Sequence, residues 1–339
     1  MAIDREFLRM LSERYRFSGE LRFVEKVKQG YLSHNFILED SEKKYFLKQY
    51  RFDDAYRVTE VQEAKKFFHE RDIPVVMPIL SLDGSSFFVH DHTFYTLFPY
   101  VTGYQFGHTR LSENALRSAG EMLAKIHTLG KNKCPLSIDP RSFAWNHDDF
   151  MLRADALKTI IHTQSQQTEY DTSALQCLDM KADLIGHNTK RYEDFSLLQD
   201  DAHILHGDFH DENLFFDEYG KVIAVFDWEK VNCGPRGMDV ARSLLLICFW
   251  DGFEESHFHD ASVYLKAYCL TYPLTKEYLK EAIMAWNMVQ MHSLWVLEGH
   301  YLRHDTRMDD LLVSHMRGIR YFAANEDAYI KRLTGSLPS

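Results

Sequence analysis

The spacing of hydrophobic residues changes along the chain. The N-terminal part contains short segments in which apolar and polar side chains alternate, as they do in half-buried strands. These segments are Leu21–Lys28, Phe36–Leu38, Lys44–Tyr50, Phe87–His90 and Phe94–Tyr100. The last two are separated only by polar residues, Asp91–Thr93, and therefore predict a hairpin.

Helical spacing interrupts this region once and dominates the rest of the chain. Apolar residues recur at helical intervals over Asp54–Arg71, Leu111–Leu129 and Lys276–Arg303, and Ser112 is the expected N-cap of the second segment. The prolines of Asp72–Leu80 should end the first helix, and this segment should begin another strand.

These patterns predict an α+β protein with two lobes. The change of pattern falls near Tyr100–Gly107, so we expect a strand-rich N-terminal lobe over residues 1–102 and a mainly helical lobe over residues 103–339. A length of 339 residues also exceeds what one hydrophobic core usually supports.

Composition and charge narrow the class of protein. Lys and Arg number 39 against 50 Asp and Glu, a net charge of −11, which argues against a nucleic-acid partner and is compatible with a cationic substrate. The charged N-terminus is unlike a signal peptide, and the longest apolar run, Leu244–Trp250, is too short to cross a membrane. Five cysteines without C-x-x-C spacing should be thiols in a reducing compartment. We therefore predict a cytoplasmic protein without a membrane partner, and leave its oligomeric state open.

The strongest chemical signal is the segment HGDFHDEN. His206, Asp208 and Asn213 have the spacing of a kinase catalytic loop. Phosphoryl transfer needs a carboxylate to orient and deprotonate the attacking hydroxyl, and an oxygen ligand to hold Mg²⁺ against the phosphates. Asp208 and Asn213 suit these two tasks, although His206 alone would more often be a buried core histidine.

The residues that follow add a second carboxylate. Leu214–Phe216 and Val222–Phe226 have the composition of strands, and the turn between them predicts a hairpin. A hairpin would return Asp227 to the side of Asn213. A carboxylate and an amide oxygen together form a site of the kind that Mg²⁺ prefers.

A lysine in the N-terminal lobe completes the candidate nucleotide site. Lys48 lies in an apolar strand, where an unpaired ammonium group is costly. It is a candidate ligand of the ATP phosphates, held by Glu63 or its rival Glu60, and an edge-strand lysine pointing to water is the alternative. Further candidates for nucleotide binding lie in the loop Gln29–Asn35 and at the end of the lobe. They are Ser33, His34, Asn35, Phe98 and Tyr100.

These residues resemble the aminoglycoside phosphotransferase and choline kinase superfamily, most specifically through HGDFHDEN and VFDWEKVNCGPRGMDVARSL. The resemblance implies a bilobal protein-kinase-like fold, with an antiparallel-sheet N-lobe and ATP and Mg²⁺ bound between the lobes. It implies that Asp208 is the catalytic base, that Asn213 and Asp227 bind Mg²⁺, and that Lys48 binds phosphates. It also implies supporting roles for His206, His127 and Asp239.

Two departures from kinase patterns bear on the substrate. The sequence has no G-x-G-x-x-G, which leaves ATP versus GTP open. Only eleven residues separate Asp227 from Asp239, with no A-P-E motif, so there is no room for a protein-kinase activation segment. This favours a small-molecule acceptor over the alternatives, an atypical Ser/Thr protein kinase or a non-catalytic nucleotide-binding pseudokinase.

The acceptor itself is left open between an aminoglycoside, an amino alcohol, homoserine and a sugar. Part of the C-terminal region, WNMVQMHSLWVLEGHY, resembles homoserine kinase type II-like members of the superfamily. Candidate acceptor residues are Trp250, Asp251, Trp295 and Glu298, because tryptophan faces beside carboxylates can hold a cationic group. Each tryptophan on its own is more typical of ordinary helix packing.

Overall fold

The computed structural model describes residues 3–27, 33–50, 54–107, 109–133, 145–188, 195–199 and 201–338. The chain divides into two compact units. The first comprises Met1–Gln105 together with Glu212–Val231, and the second comprises Phe106–Asp211 and Asn232–Ser339. The predicted division into residues 1–102 and 103–339 placed Glu212–Val231 in the helical lobe, whereas this segment belongs to the first compact unit.

The first unit is built on an antiparallel sheet with the strand order β1-β2-β3-β5-β4. Its strands are β1 Arg22–Val27, β2 His34–Glu39, β3 Lys44–Gln49, β4 Phe88–His90 and β5 Thr93–Pro99. Helices α1 Arg5–Arg14 and α2 Ala55–His69 accompany the sheet. The hairpin predicted before Tyr100 is confirmed, and Asp91 and His92 form its turn with φ of 47° and 59°.

Aromatic and aliphatic side chains of the sheet and α1 make up the core of this unit. Its buried members are Phe7, Leu11, Tyr15, Leu21, Phe36, Leu38, Tyr45, Leu47, Phe88, Tyr95 and Leu97. The alternation seen in the sequence places the members that belong to β2, β3, β4 and β5 on one face of the sheet, which is why these strands were recognisable.

The second unit is mainly helical. Its helices are α3 Glu113–Gly130, α4 His147–His162, α5 Glu169–Asn188, α6 Ser196–Gln199, α7 Arg236–Cys248, α8 Glu255–Thr271, α9 Lys276–His292, α10 Trp295–Arg303 and α11 Leu311–Gly335. The strands β6 His203–Leu205 and β9 Asn232–Gly234 pair with each other, and short 3₁₀ turns cover Asp211–Asn213 and Thr306–Met308. Ser112 is the N-cap of α3, as predicted, and accepts a hydrogen bond from the Ala115 backbone N–H.

The structure corrects one predicted element and divides another. Asp72–Leu80 forms no strand, and only Val75 makes an isolated bridge, because Pro74 and Pro78 lack the N–H that a ladder needs. Lys276–Arg303 is two helices, since Ser293 has extended backbone angles and the Lys181 ammonium binds the Gln290 and Ser293 carbonyl groups at the break.

Two further observations concern the cysteines and the membrane. Cys233 is disulfide-bonded, so the expectation that all five cysteines are thiols is wrong. Cys177, Cys248 and Cys269 are free and buried. Among the described helices, none combines the length and the apolar character that a membrane crossing requires.

Candidate active site

In the second unit, the loop that follows β6 is held by a buried carboxylate. Asp239 lies on α7, and its two oxygens accept hydrogen bonds from the His206 and Gly207 backbone N–H groups, each at 3.1 Å. Gly207 has φ of 77°, a left-handed conformation that glycine adopts without strain. These contacts are of the kind that a bracing residue makes, and they hold the backbone immediately before Asp208.

A histidine relay supports the same carboxylate. His127 Nε2 lies 3.3 Å from Asp239 Oδ2, and its Nδ1 lies 2.8 Å from the Tyr268 hydroxyl. Burial lowers the pKa of His127 despite the neighbouring carboxylate, so the neutral ring donates to Asp239 and accepts from Tyr268. His206 is also fully buried, and its Nδ1 accepts a hydrogen bond of 3.2 Å from the Asp208 backbone N–H.

The Asp208 carboxylate is paired with an arginine that the sequence reasoning missed. Arg242, one turn after Asp239 on α7, donates from Nε to Asp208 Oδ1 at 3.2 Å, and its Nη2 binds the same oxygen. The guanidinium lies 5.2 Å from the ring centroid of Trp286 on α9. The segment GMDVARS contains this arginine, but only the fold brings its side chain to Asp208.

In the first unit, a short hairpin places Asn213 beside the segment that carries Asp227. Strands β7 Leu214–Phe216 and β8 Val222–Val225 pair antiparallel, and the Phe226 N–H donates to the Asn213 carbonyl at 2.8 Å. The predicted hairpin is therefore confirmed. Asp227 has φ of 52°, the left-handed region that aspartate tolerates better than most residues, so the chain turns sharply at this carboxylate.

Lys48 on β3 meets two carboxylates of the same unit. Its Nζ lies 2.7 Å from Asp227 Oδ1 and 2.7 Å from Glu229 Oε1, and only 3% of its side chain is exposed. Burial by itself lowers the pKa of Lys48, but the two neighbouring negative charges outweigh burial and raise it. Lys48 is therefore a charged, buried group and not an edge-strand lysine pointing to water.

The prediction that a glutamate of α2 pairs with Lys48 is wrong. Glu63 on α2 is exposed, and Glu60 binds Arg57 at 3.0 Å. The physical reason is the position of Asp227 and Glu229, whose oxygens already lie within hydrogen-bond distance of the Lys48 ammonium. Helix α2 contributes instead through Arg57, which donates to the Glu229 and Val231 carbonyl groups at 2.6 Å each.

Glu229 is a second residue that sequence reasoning overlooked. Its side chain is 6% exposed and accepts a hydrogen bond of 2.7 Å from Ser33 Oγ. Burial raises the pKa of Glu229, and the Lys48 ammonium opposes that shift. Its position two residues after Asp227 was a usable signal, because an acidic residue in such a buried segment needs a cationic partner.

The remaining nucleotide candidates are placed as follows. Asn35 is paired with Lys48 across β2 and β3, and its buried side-chain oxygen has no partner in the part of the chain that the structure describes. His34 begins β2, whereas Gln29–Leu32 lies outside the described residues. Phe98 is buried under the Lys65 ammonium, 4.0 Å from its ring centroid, and Tyr100 is exposed.

The predicted acceptor residues do not form an open acidic site. Glu298 Oε1 binds Arg153 at 2.8 Å, and Asp251 Oδ1 lies 2.9 Å from His257 Nε2. Trp295 begins α10 and borders a small cavity with Lys181 and His315, and the Trp250 carbonyl accepts from Arg317. A cationic acceptor would have to displace Arg153 or His257 from these carboxylates.

The donors at the hairpin fit a magnesium ion in chemical type. Asn213 and Asp227 supply an amide and a carboxylate oxygen, and Mg²⁺ is usually held by one or two carboxylates together with water and phosphate. Asn213 is buried, whereas the Asp227 side chain is 30% exposed, so the carboxylate is accessible from solvent.

Comparisons with known proteins agree with this arrangement. The family model of the phosphotransferase enzyme family matches residues 24–278. A spectinomycin phosphotransferase in complex with ADP and spectinomycin shares 15% identity, 98% coverage of both chains and a TM-score of 0.65. A microcompartment-associated aminopropanol kinase shares 13% identity, with 95% of this chain and 98% of that chain covered and a TM-score of 0.64. An amicoumacin kinase in complex with AMP-PNP and Ca²⁺ shares 13% identity, coverage of 92% and 93% and a TM-score of 0.60.

The TM-scores show that the chain shares the fold of these kinases, which is the α+β kinase-like fold expected from the sequence. At such low sequence identity the similarity shows the fold alone. No functionally curated protein sequence matches the chain. The family model, however, extends from β1 into α9 and includes both segments that carry the candidate site. The chain therefore belongs to the phosphotransferase enzyme family.

Proposed function

We propose that this phosphotransferase is an ATP- and Mg²⁺-dependent kinase that phosphorylates a hydroxyl group of a small molecule, with Asp208 as the catalytic base. The observation that carries the proposal is the 2.7 Å contact of Lys48 Nζ with Asp227 Oδ1, between residues 179 positions apart in the sequence. It joins the lysine expected to bind phosphates to the carboxylate expected to bind metal.

The first unit supplies the nucleotide-binding groups in this proposal. Lys48 would contact the phosphates, with Asp227 and Glu229 holding its ammonium in place. Asn213 and Asp227 would hold Mg²⁺, whose chemistry is to neutralise phosphate charge as the bond to the transferred group breaks. Ser33, His34 and Asn35 are proposed to border the phosphates, and Phe98 and Tyr100 the base. ADP and AMP-PNP in the complexes of two structural neighbours support a nucleotide of this class.

The second unit supplies the catalytic base. Asp208 would accept the proton of the acceptor hydroxyl, and Asp239 with His206 and His127 would fix the loop that presents it. Most of the rate enhancement in such a reaction comes from positioning and charge neutralisation. Loss of a general base typically costs about 10²- to 10⁴-fold in rate.

A small-molecule acceptor is supported by the short distance in sequence between Asp227 and Asp239. It is also supported by the substrates named for the spectinomycin phosphotransferase and the aminopropanol kinase. Aminoglycosides, amino alcohols, homoserine and sugars are the acceptor classes to test. We also propose that the donor is ATP, with GTP as the alternative to test, and that the protein is cytoplasmic and binds no nucleic acid.

The test is an ADP-release assay on the full chain with ATP, Mg²⁺ and a panel of these acceptors. Asp208→Asn should lower turnover by about 10²- to 10⁴-fold while nucleotide binding persists, because it removes only the proton acceptor. Asp183→Asn, at an exposed position of α5, is the matched control and should behave as wild type. Near-normal turnover of Asp208→Asn, or a wild-type protein that phosphorylates none of the panel, would contradict the proposal.

A further inference from the structure

The group that faces the proposed base is a cation with unused hydrogen-bond donors. Arg242 binds Asp208 Oδ1 through Nε and Nη2, and its side chain remains 22% exposed. A guanidinium has five N–H donors in a planar fork. Within the described ranges its Nη1 group donates to no other residue, so one side of the fork is available to a ligand.

The aromatic neighbour of this arginine contributes a further donor. Trp286 lies under the guanidinium at 5.2 Å, and its indole nitrogen is buried with no hydrogen-bond partner in the part of the chain that the structure describes. A buried donor without a partner costs free energy. An acceptor atom supplied by a ligand would remove that cost.

The acidic groups of this unit that were candidates for binding a cation are already engaged. Glu298 is bound by Arg153, and Asp251 lies against His257. The side chains that flank Asp208 thus offer donors to a ligand, and the two carboxylates farther along the chain already have side-chain partners. This distribution of charge matches an acceptor with an anionic group better than one recognised through its amine.

We propose that Arg242 and Trp286 form a subsite for a carboxylate on the acceptor, so that the substrate is a hydroxy acid, including the hydroxy amino acids. This inference rests on the proposed function and goes beyond it by naming the acceptor class. Arginine binds carboxylates through parallel N–H···O contacts, and it can do so on one side while bound to Asp208 on the other.

In the reaction, the acceptor hydroxyl oxygen forms a bond to the γ-phosphorus of ATP and the bond from that phosphorus to the ADP oxygen breaks. The hydroxyl proton passes to Asp208. The acceptor carboxylate is unchanged and serves only to place the hydroxyl beside the base.

The test compares acceptors that differ by the carboxylate alone. The pairs are homoserine and 3-amino-1-propanol, serine and ethanolamine, and glycerate and ethylene glycol. Glycerol 3-phosphate and glycerol form a further arm, which asks whether a phosphate can replace the carboxylate. We expect kcat/KM to be at least about 10-fold higher for the acid in one or more carboxylate pairs, as one charge-assisted hydrogen bond would provide.

Equal or better turnover of the partners without a carboxylate would overturn this subsite and leave the kinase proposal standing. A preference confined to glycerol 3-phosphate would also overturn the carboxylate assignment. Absence of phosphorylation across every pair, with turnover of an aminoglycoside or a sugar, would overturn the subsite alone, whereas absence across the whole acceptor panel would refute the proposed function and the subsite with it.

Two variants test the residues directly. Trp286→Phe removes the indole N–H and keeps a ring under Arg242, so it should raise KM for the acid about 10-fold and KM for its partner without the carboxylate by a smaller factor. Its melting temperature should not fall through loss of a hydrogen bond, because the N–H has none in the described protein. Equal effects on both members of a pair would overturn the assignment.

Arg242→Lys keeps the positive charge and removes the planar set of guanidinium donors. It supplies a second readout if Trp286→Phe is unstable. It should reduce the preference for the acid while retaining more activity than Arg242→Gln. Arg117→Gln, which removes an exposed arginine bound to Glu113, is the matched control and should leave the preference intact. An unchanged preference in Arg242→Gln would contradict the proposal.

Discussion

The role of Glu229 can be measured with a nearly isosteric change, Glu229→Gln. This substitution removes the negative charge 2.7 Å from Lys48 Nζ and keeps an oxygen that can accept the hydrogen bond from Ser33 Oγ. It therefore separates the charge of Glu229 from its volume. If Glu229 positions Lys48, the variant should lose both stability and the affinity for ATP.

The expected magnitude follows from the burial of the pair. Removing one partner of a buried ion pair typically costs about 3–5 kcal/mol. Here Asp227 remains 2.7 Å from Lys48 Nζ, and the desolvation that raises the pKa of Glu229 no longer opposes folding. These two effects reduce the expected loss to about 1–3 kcal/mol in the free energy of unfolding. A misplaced Lys48 should lower kcat/KM for ATP about 10- to 100-fold, since each 1.4 kcal/mol corresponds to a factor of ten.

The assay combines urea unfolding, followed by tryptophan fluorescence, with ADP-release kinetics at varied ATP concentration. Glu63→Gln is the matched control, because Glu63 is the exposed helical glutamate that the sequence favoured as the partner. We expect Glu63→Gln to change stability by less than about 0.5 kcal/mol and to leave KM for ATP unaltered. If Glu63→Gln raised KM and Glu229→Gln did not, the assignment of Lys48's partners would be refuted.

Three further changes test other parts of the structure. Asp227→Asn should abolish the difference in nucleotide affinity between Mg²⁺ and EDTA in calorimetric titrations, and a retained difference would remove Asp227 from the metal site. Gly120→Ala on α3 should cost about 3 kcal/mol or more in urea unfolding, because the new Cβ would lie 2.4 Å from the Tyr264 carbonyl oxygen, whereas Gly318→Ala has open space and should be neutral or stabilising. Burial, with the Lys181 cation, lowers the pKa of His315 to about 3, so stability should fall as pH drops from 6.5 toward 3 by about 1.4 kcal/mol per unit from this group. His315→Gln should remove that share of the slope, and an unchanged pH dependence of unfolding would argue against a neutral buried ring.

The elements that the sequence predicted well are those set by short-range physics. Alternation identified the strands of the first unit, and Ser112 marked the start of α3 because an N-cap satisfies N–H groups within its own turn. The predicted strand at Asp72–Leu80 is absent because its prolines lack the backbone N–H donors that a strand ladder needs. The helical spacing over Lys276–Arg303 was confirmed, but it did not indicate the break near Ser293, where Lys181, far away in sequence, binds the carbonyl groups.

The candidate site shows the same division. The turn between β7 and β8 is local, so the proximity of Asn213 to the Asp227 segment could be predicted from spacing alone. The partner of Lys48 could not be predicted in this way, because the sequence alone does not distinguish Glu60, Glu63 and Glu229. Arg242 carries no local signal that it would reach Asp208, although it lies in a motif that was recognised.

The amino-acid sequence alone determined the α+β composition, the strands of the first unit and the residue types able to transfer a phosphoryl group. It did so because hydrogen-bonding within turns and the alternation of apolar residues depend on neighbours a few positions away. Tertiary structure decided which charges pair: Lys48 with Asp227 and Glu229, and Asp208 with Arg242. Ionic attraction depends on distances of a few ångströms and on burial, and both arise only when distant segments pack together.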